Sequence, residues 1–216
     1  MFKNIWPAML IGATMLILIS VGLVYLPYQA MVILGGAAVV SYVAWLRTSY
    51  NYPVRSKRVI AIYLAAISVQ IIHLSEEYAF GFPIKFSALF VAKDWSMHSF
   101  LMTFVFAGAA LWVAAAAGML YRVRIANYIV WFYALGAGLI NAIAHFVFPI
   151  LAGSYFPGLY TAPLHLILSV TLIVALIAEN RELRAERRAE AKASAKLVEE
   201  RRRPTGSPVE TVGAIS

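Results

Sequence analysis

Long apolar runs broken by short polar segments set the pattern of this chain. Six runs are long enough to cross a hydrocarbon layer as helices, each needing about 20 residues. They lie near 6–26, 28–46, 58–80, 96–121, 125–150 and 159–179. Only Leu26, Pro27 and Tyr28 separate the first two, so these form an antiparallel hairpin. The first run follows Lys3 as a signal peptide would, but it is too long and no small-residue cleavage site follows it. It reads as an anchor. The pattern predicts an all-α fold, a polytopic membrane bundle of six transmembrane helices over 1–179.

Beyond residue 179 the pattern changes. Residues 180–203 read as a charged helix, with Glu182, Glu186 and Glu190 on one stripe and Arg184, Arg188, Lys192 and Lys196 on another. Pro204, Gly206 and Pro208 end it and leave a disordered terminus. This tail, 180–216, reads as a solvated helix and offers a surface to anionic lipid or a protein partner.

Charge sets the orientation. Short loops that are rich in Lys and Arg stay cytoplasmic. The segment from Arg47 to Arg58 carries four such residues, the turn after the fourth span carries Arg122 and Arg124, and the tail carries nine. The loops after spans one and five have none, and the loop over 81–95 has Lys85 and Lys93. Both termini are therefore expected in the cytoplasm, with the 81–95 loop resting on the outer interface.

Composition narrows the class further. The chain is 62% hydrophobic and 13% charged, against about 45–50% and 25% for soluble domains. It has no cysteine, which excludes disulfides, thiolate metal sites and a cysteine nucleophile. The net charge of +8 sits where membrane flanks carry it, so nucleic acid is not an expected partner. The expected location is integral to a membrane, the bacterial cytoplasmic (inner) membrane.

The four histidines and the two glutamates within the spans mark the candidate chemistry. With the orientation above, His73, His98, His145 and His165 all fall within roughly 3–11 Å of the outer boundary at 1.5 Å per residue. Glu76 and Glu77 share that layer. Ionisable groups in a bilayer are costly and face the bundle interior. One buried histidine is ordinary interhelical glue, whereas four on four helices at one depth predict a shared site. His73, Glu76 and Glu77 are spaced i, i+3 and i+4, on one helix face, and Gln70 extends that face inward. Imidazole and carboxylate together suit zinc, iron or manganese. The expected ligands are His73, Glu77, His145 and His165. His98 is a possible member, and as the one nearest water the first candidate for a bystander. Glu76 and Glu77 are the expected catalytic acid–base groups. Gln70, Asn141 (one turn below His145) and Ser169 (one turn from His165) are the expected orienting partners. Asp94 is expected to cap the fourth span. No Walker loop, dinucleotide glycine pattern, GxSxG elbow or HExxH is present.

The segment His73-Leu74-Ser75-Glu76-Glu77 resembles the signature of the HXXEE family of predicted integral membrane proteins. The runs Asn141-Ala142-Ile143-Ala144-His145 and Tyr155-Phe156-Pro157-Gly158-Leu159-Tyr160-Thr161 resemble later signatures of that family. The likeness covers roughly residues 60–175. It implies a shared site and no particular reaction.

Together these features predict a metal-dependent membrane enzyme, with zinc or iron as the cofactor. It would be a hydrolase or oxidoreductase acting on a lipid or other hydrophobic small molecule. A metal-free isomerase in which a glutamate shuttles a proton is the variant. The alternatives are a proton-coupled transporter, a sensor or a subunit of a larger membrane complex.

Overall fold

A computed structural model describes residues 5–202. The expected disordered terminus, 204–216, lies outside them. The described residues form helices and connections, with no strand among them. The helices are α1 (Trp6–Tyr25), α2 (Tyr28–Arg47), α3 (Lys57–Ala79), the short α4 (Phe82–Leu89), α5 (Met97–Leu120), α6 (Arg124–Ala152) and α7 (Ala162–Arg202). All but α4 are long and apolar enough to cross a membrane.

The chain divides into a compact unit up to Asn180 and a second from Arg181 onward. The described part of the second unit is helical and largely exposed. Its Arg187–Glu190 ion pair is long, at 3.9 Å, and solvent-exposed, so it contributes little.

In the bundle, α3 is the central element. Half of its apolar window is buried, against 6% for α1, which shows hydrophobic side chains on nearly every side. Helix α3 packs on α5, α5 on α6, and α6 on α2, while α1 lies against α2. Small residues allow close approach, as expected where lipid removes the hydrophobic drive between helices. A Cβ at Gly118 would stand 2.7 Å from the Ala126 Cβ, and one at Gly136 would stand 3.0 Å from the Ala37 Cβ.

Two stretches, Leu101–Gly108 in α5 and Tyr133–Ile140 in α6, are wound as π-helix. An inserted residue turns everything after it by roughly 100° about the helix axis. The second stretch ends at Ile140, and the polar face of α6 begins at the next residue, Asn141. The start of α5 is capped by Ser96, whose Oγ accepts from the Ser99 N–H at 3.0 Å. Asp94 is exposed and is not that cap. Serine two residues later reaches the free amide, so the expected assignment to Asp94 is corrected.

The loop leading into α3 is tied down by buried polar groups. Asn127 Oδ1 accepts from the Val54 N–H at 3.0 Å. Glu179 Oε1 accepts from the Arg55 and Ser56 N–H groups at 2.5 and 2.7 Å. Ser56 is the N-cap of α3, and its Oγ accepts from Arg58 and Val59. The Glu179 carboxylate therefore lies where the first amides of α3 concentrate positive potential. It is 6% exposed, so its bonds are made away from competing water.

This predicts that Glu179→Ala lowers the unfolding free energy by about 2 kcal/mol, the scale of bonds to a charged group. Reversible unfolding in mixed micelles measures it. An unchanged midpoint would show that α3 does not depend on this clamp.

Candidate metal centre

The buried face of α3 carries Gln70, His73, Leu74 and Glu77. His73 and Glu77 lie one turn apart, and α6 brings His145 against them. Glu77 Oε1 is 2.9 Å from His145 Nε2 and 3.5 Å from His73 Nε2. Both histidines are fully buried and Glu77 is 3% exposed. One ligand atom from each of the three lies within 4.8 Å of the other two. In a tetrahedral site with bonds near 2.0–2.1 Å, neighbouring ligand atoms stand about 3.3 Å apart. The two separations from Glu77 Oε1 bracket that edge.

His73 has a polar partner at each ring nitrogen, Thr161 at Nδ1 and Asn141 at Nε2, whereas His145 does not. Although His145 Nε2 is close to Glu77, the two do not align as a hydrogen bond. Neither ring nitrogen of His145 has a hydrogen-bond partner. Buried polar atoms are rarely left so, and a cation among the three ligands would satisfy this one. Phe82 and Phe148 flank His145, with ring centroids at 5.3 and 5.5 Å, and keep the surroundings apolar. The residues present therefore fit a divalent metal ion.

His165, from α7, is also fully buried. Its ring centroid is 5.0 Å from that of His73, but its nitrogens do not join the three-residue group. Its Nε2 lies 3.5 Å from the Tyr133 hydroxyl, and its Nδ1 has no partner. Gln70 Oε1 and Ser169 Oγ are likewise buried without partners. Ser169 occupies the space that a Cβ at Gly138 would take. His98 is exposed and apart from the group. Asn141 reaches His73 rather than His145: its Nδ2 lies 2.9 Å from His73 Nε2.

Glu76 faces another way. It turns from the centre toward the loop joining α6 to α7, where it accepts five hydrogen bonds. Oε1 receives the Tyr155 hydroxyl at 2.8 Å and the Gly158 and Tyr160 N–H groups at 3.0 and 3.1 Å. Oε2 receives the Thr161 N–H at 3.0 Å and its hydroxyl at 2.7 Å. Both carboxylate oxygens are thus committed to the loop. Burial and the bond to Glu76 hold the Tyr155 hydroxyl well above the usual phenol range, so it stays a donor. Tyr155, Thr161 and Tyr133 complete the site. The first two lie within the sequence motif, whereas nothing distinguishes Tyr133 from the other tyrosines of the chain.

The loop covers the centre. Gly158 has φ +92°, a conformation that glycine adopts without the Cβ penalty. A Cβ there would run into the His145 ring and stand 2.9 Å from His73 Cε1. Glycine is thus required both by conformation and by contact with two imidazoles.

Compared with protein-family models, with curated proteins and with solved structures, the chain matches none.

Gly158→Ala is expected to destabilise the protein clearly more than Gly153→Ala. Both residues have positive φ, but a Cβ at Gly153 meets nothing within 4 Å. The control therefore costs only the backbone strain, about 1–2 kcal/mol. Equal losses in parallel unfolding curves would mean that the loop does not press on the histidines.

Proposed function

We propose that this chain is a membrane enzyme that holds one divalent metal, zinc or iron, through His73, Glu77 and His145, and acts on a lipid or another hydrophobic molecule. The observation that carries this reading is the meeting of three buried ligand atoms within 4.8 Å of one another, with neither nitrogen of His145 hydrogen-bonded. Three protein ligands with a position left over is the pattern of a catalytic rather than a structural site. Bound there, the metal would supply Lewis acidity toward a substrate oxygen or a water.

The chain's own groups would do the rest. His73 and His145 bind as neutral imidazoles, and Glu77 offsets positive charge as ligand or accepts a proton. His165, beside the centre with an unpartnered Nδ1 and with Tyr133 at Nε2, is placed to pass a proton or to add a fourth ligand. The apolar surroundings of His145 exclude water and strengthen each of these interactions. A hydrophobic substrate would enter sideways from the bilayer, since its solvent is already there. In this reading both termini are cytoplasmic, the site lies in the outer half of a bacterial cytoplasmic membrane, and the HXXEE-like runs reflect the centre. The charged tail would take up anionic lipid or a protein partner.

A proton-coupled transporter fits less well. Along α7 inward of Ser169, the next buried residues before Glu179 are Leu172 and Leu176. Relays need polar groups there.

Purified protein in nanodiscs, equilibrated with zinc or cobalt and freed of excess, is expected to retain about one ion per chain. His73→Ala, Glu77→Gln and His145→Ala should each retain far less, while His98→Ala should match the wild type. No retained metal, or retention indifferent to the three ligands, would end the metal reading. A proton shuttle on Glu77 would then be its successor.

A further inference from the structure

We infer that Thr161 and Glu76 are positioning residues of the centre. Together they fix the tautomer of His73 that leaves its Nε2 unprotonated, on the side of Asn141 and Glu77. This rests on the metal reading for its purpose, but not for its geometry.

The assignment follows from counting protons. Thr161 has one hydroxyl hydrogen. Its Oγ1 is 2.7 Å from Glu76 Oε2 and 2.7 Å from His73 Nδ1. A carboxylate oxygen can only accept, so the hydroxyl donates to Glu76, the stronger acceptor. The competing carbonyl of Gly158 is farther, at 3.4 Å. Thr161 Oγ1 must then accept from His73, which places the imidazole hydrogen on Nδ1. In the neutral ring Nε2 is left as a lone pair. The contact on that side agrees, because the Asn141 amide nitrogen, a donor, stands 2.9 Å from Nε2. Nε2 is also the atom nearest Glu77, at 3.5 Å.

Glu76 starts this chain of bonds and is itself oriented by four further donors from residues 155–161. Histidine ligands commonly have their second nitrogen bound to a carboxylate or carbonyl, which sets ring orientation and raises basicity. Here a hydroxyl stands between, and the carboxylate comes from the residue beside the ligand Glu77. Adjacent glutamates on α3 thus take different parts: Glu77 faces the centre, and Glu76 holds its outer wall. The loop from α6 to α7 belongs to the centre, although it offers no ligand.

Thr161→Val keeps the size and the backbone N–H bond to Glu76 but removes the hydroxyl, whereas Thr161→Ser restores it. Two readouts in nanodiscs separate the claims. The first is 15N NMR of histidine-labelled, metal-free protein, with His73 assigned by difference against His73→Gln. Wild type and Thr161→Ser should show Nδ1–H with unprotonated Nε2, and Thr161→Val should lose that single tautomer. The second is cobalt titration by visible absorption: affinity should fall about 10–100-fold in Thr161→Val and stay within about threefold in Thr161→Ser. Should the valine variant fail to fold, Thr161→Ala carries the same two readouts. If the tautomer responds but the wild type binds no cobalt, the relay stands and the metal reading falls. If wild type binds cobalt and neither readout changes without the hydroxyl, the relay is overturned.

Discussion

The constraint on which this structure turns is the carboxylate of Glu77. It is 3% exposed, within an apolar helix, and α3 can keep it there only if its charge is answered nearby. A buried ion pays a desolvation penalty that geometry and partners must offset. The groups in contact with Oε1 are two imidazoles, on α3 itself and on α6. A proton on either ring or a cation among the three would meet the need. The chemistry of the site and the stability of the bundle are thus one problem, because the groups that would bind a metal also make Glu77 tolerable.

The rest of the architecture follows from holding that contact. Helix α3 is fixed at its N-terminal end by Glu179 and Asn127, which bind the incoming loop, and at its C-terminal end by Glu76, which binds the loop before α7. Between these anchors the packing is apolar and close. The π-helical stretch of α6 ends directly before Asn141, and Asn141 and His145 both meet α3. Gly158 brings backbone rather than a side chain onto the imidazoles. The loop before α7 is thereby both cover and wall of the cluster.

Much of this was legible in the sequence, because long apolar runs and isolated ionisable residues follow simple physical rules. The six helices come from the length of the runs. The i, i+4 spacing of His73 and Glu77 puts them on one face, and their depth relative to His145 follows from chain direction. What could not be read was the rotation of each helix about its axis. Glu76 and Glu77 differ by one position, and only the packed bundle shows that one enters the centre and the other leaves it. Asn141 is spaced to meet His145 along α6, but it meets His73 across the interface instead. Thr161 and Tyr155 stand in a recognisable motif, yet a hydroxyl's partner depends on where a loop folds back, which no spacing gives. His165 sits beside the centre, but no spacing shows that its nitrogens stay outside the three-residue group.

The most direct measurement is X-ray absorption at the metal edge of zinc- or iron-loaded protein in nanodiscs. The account predicts a shell of nitrogen and oxygen ligands near 2.0–2.1 Å, with outer-shell scattering from two imidazoles, His73 and His145, that drops to one in His145→Ala. A spectrum without imidazole scattering, or one unchanged in His145→Ala, would contradict it.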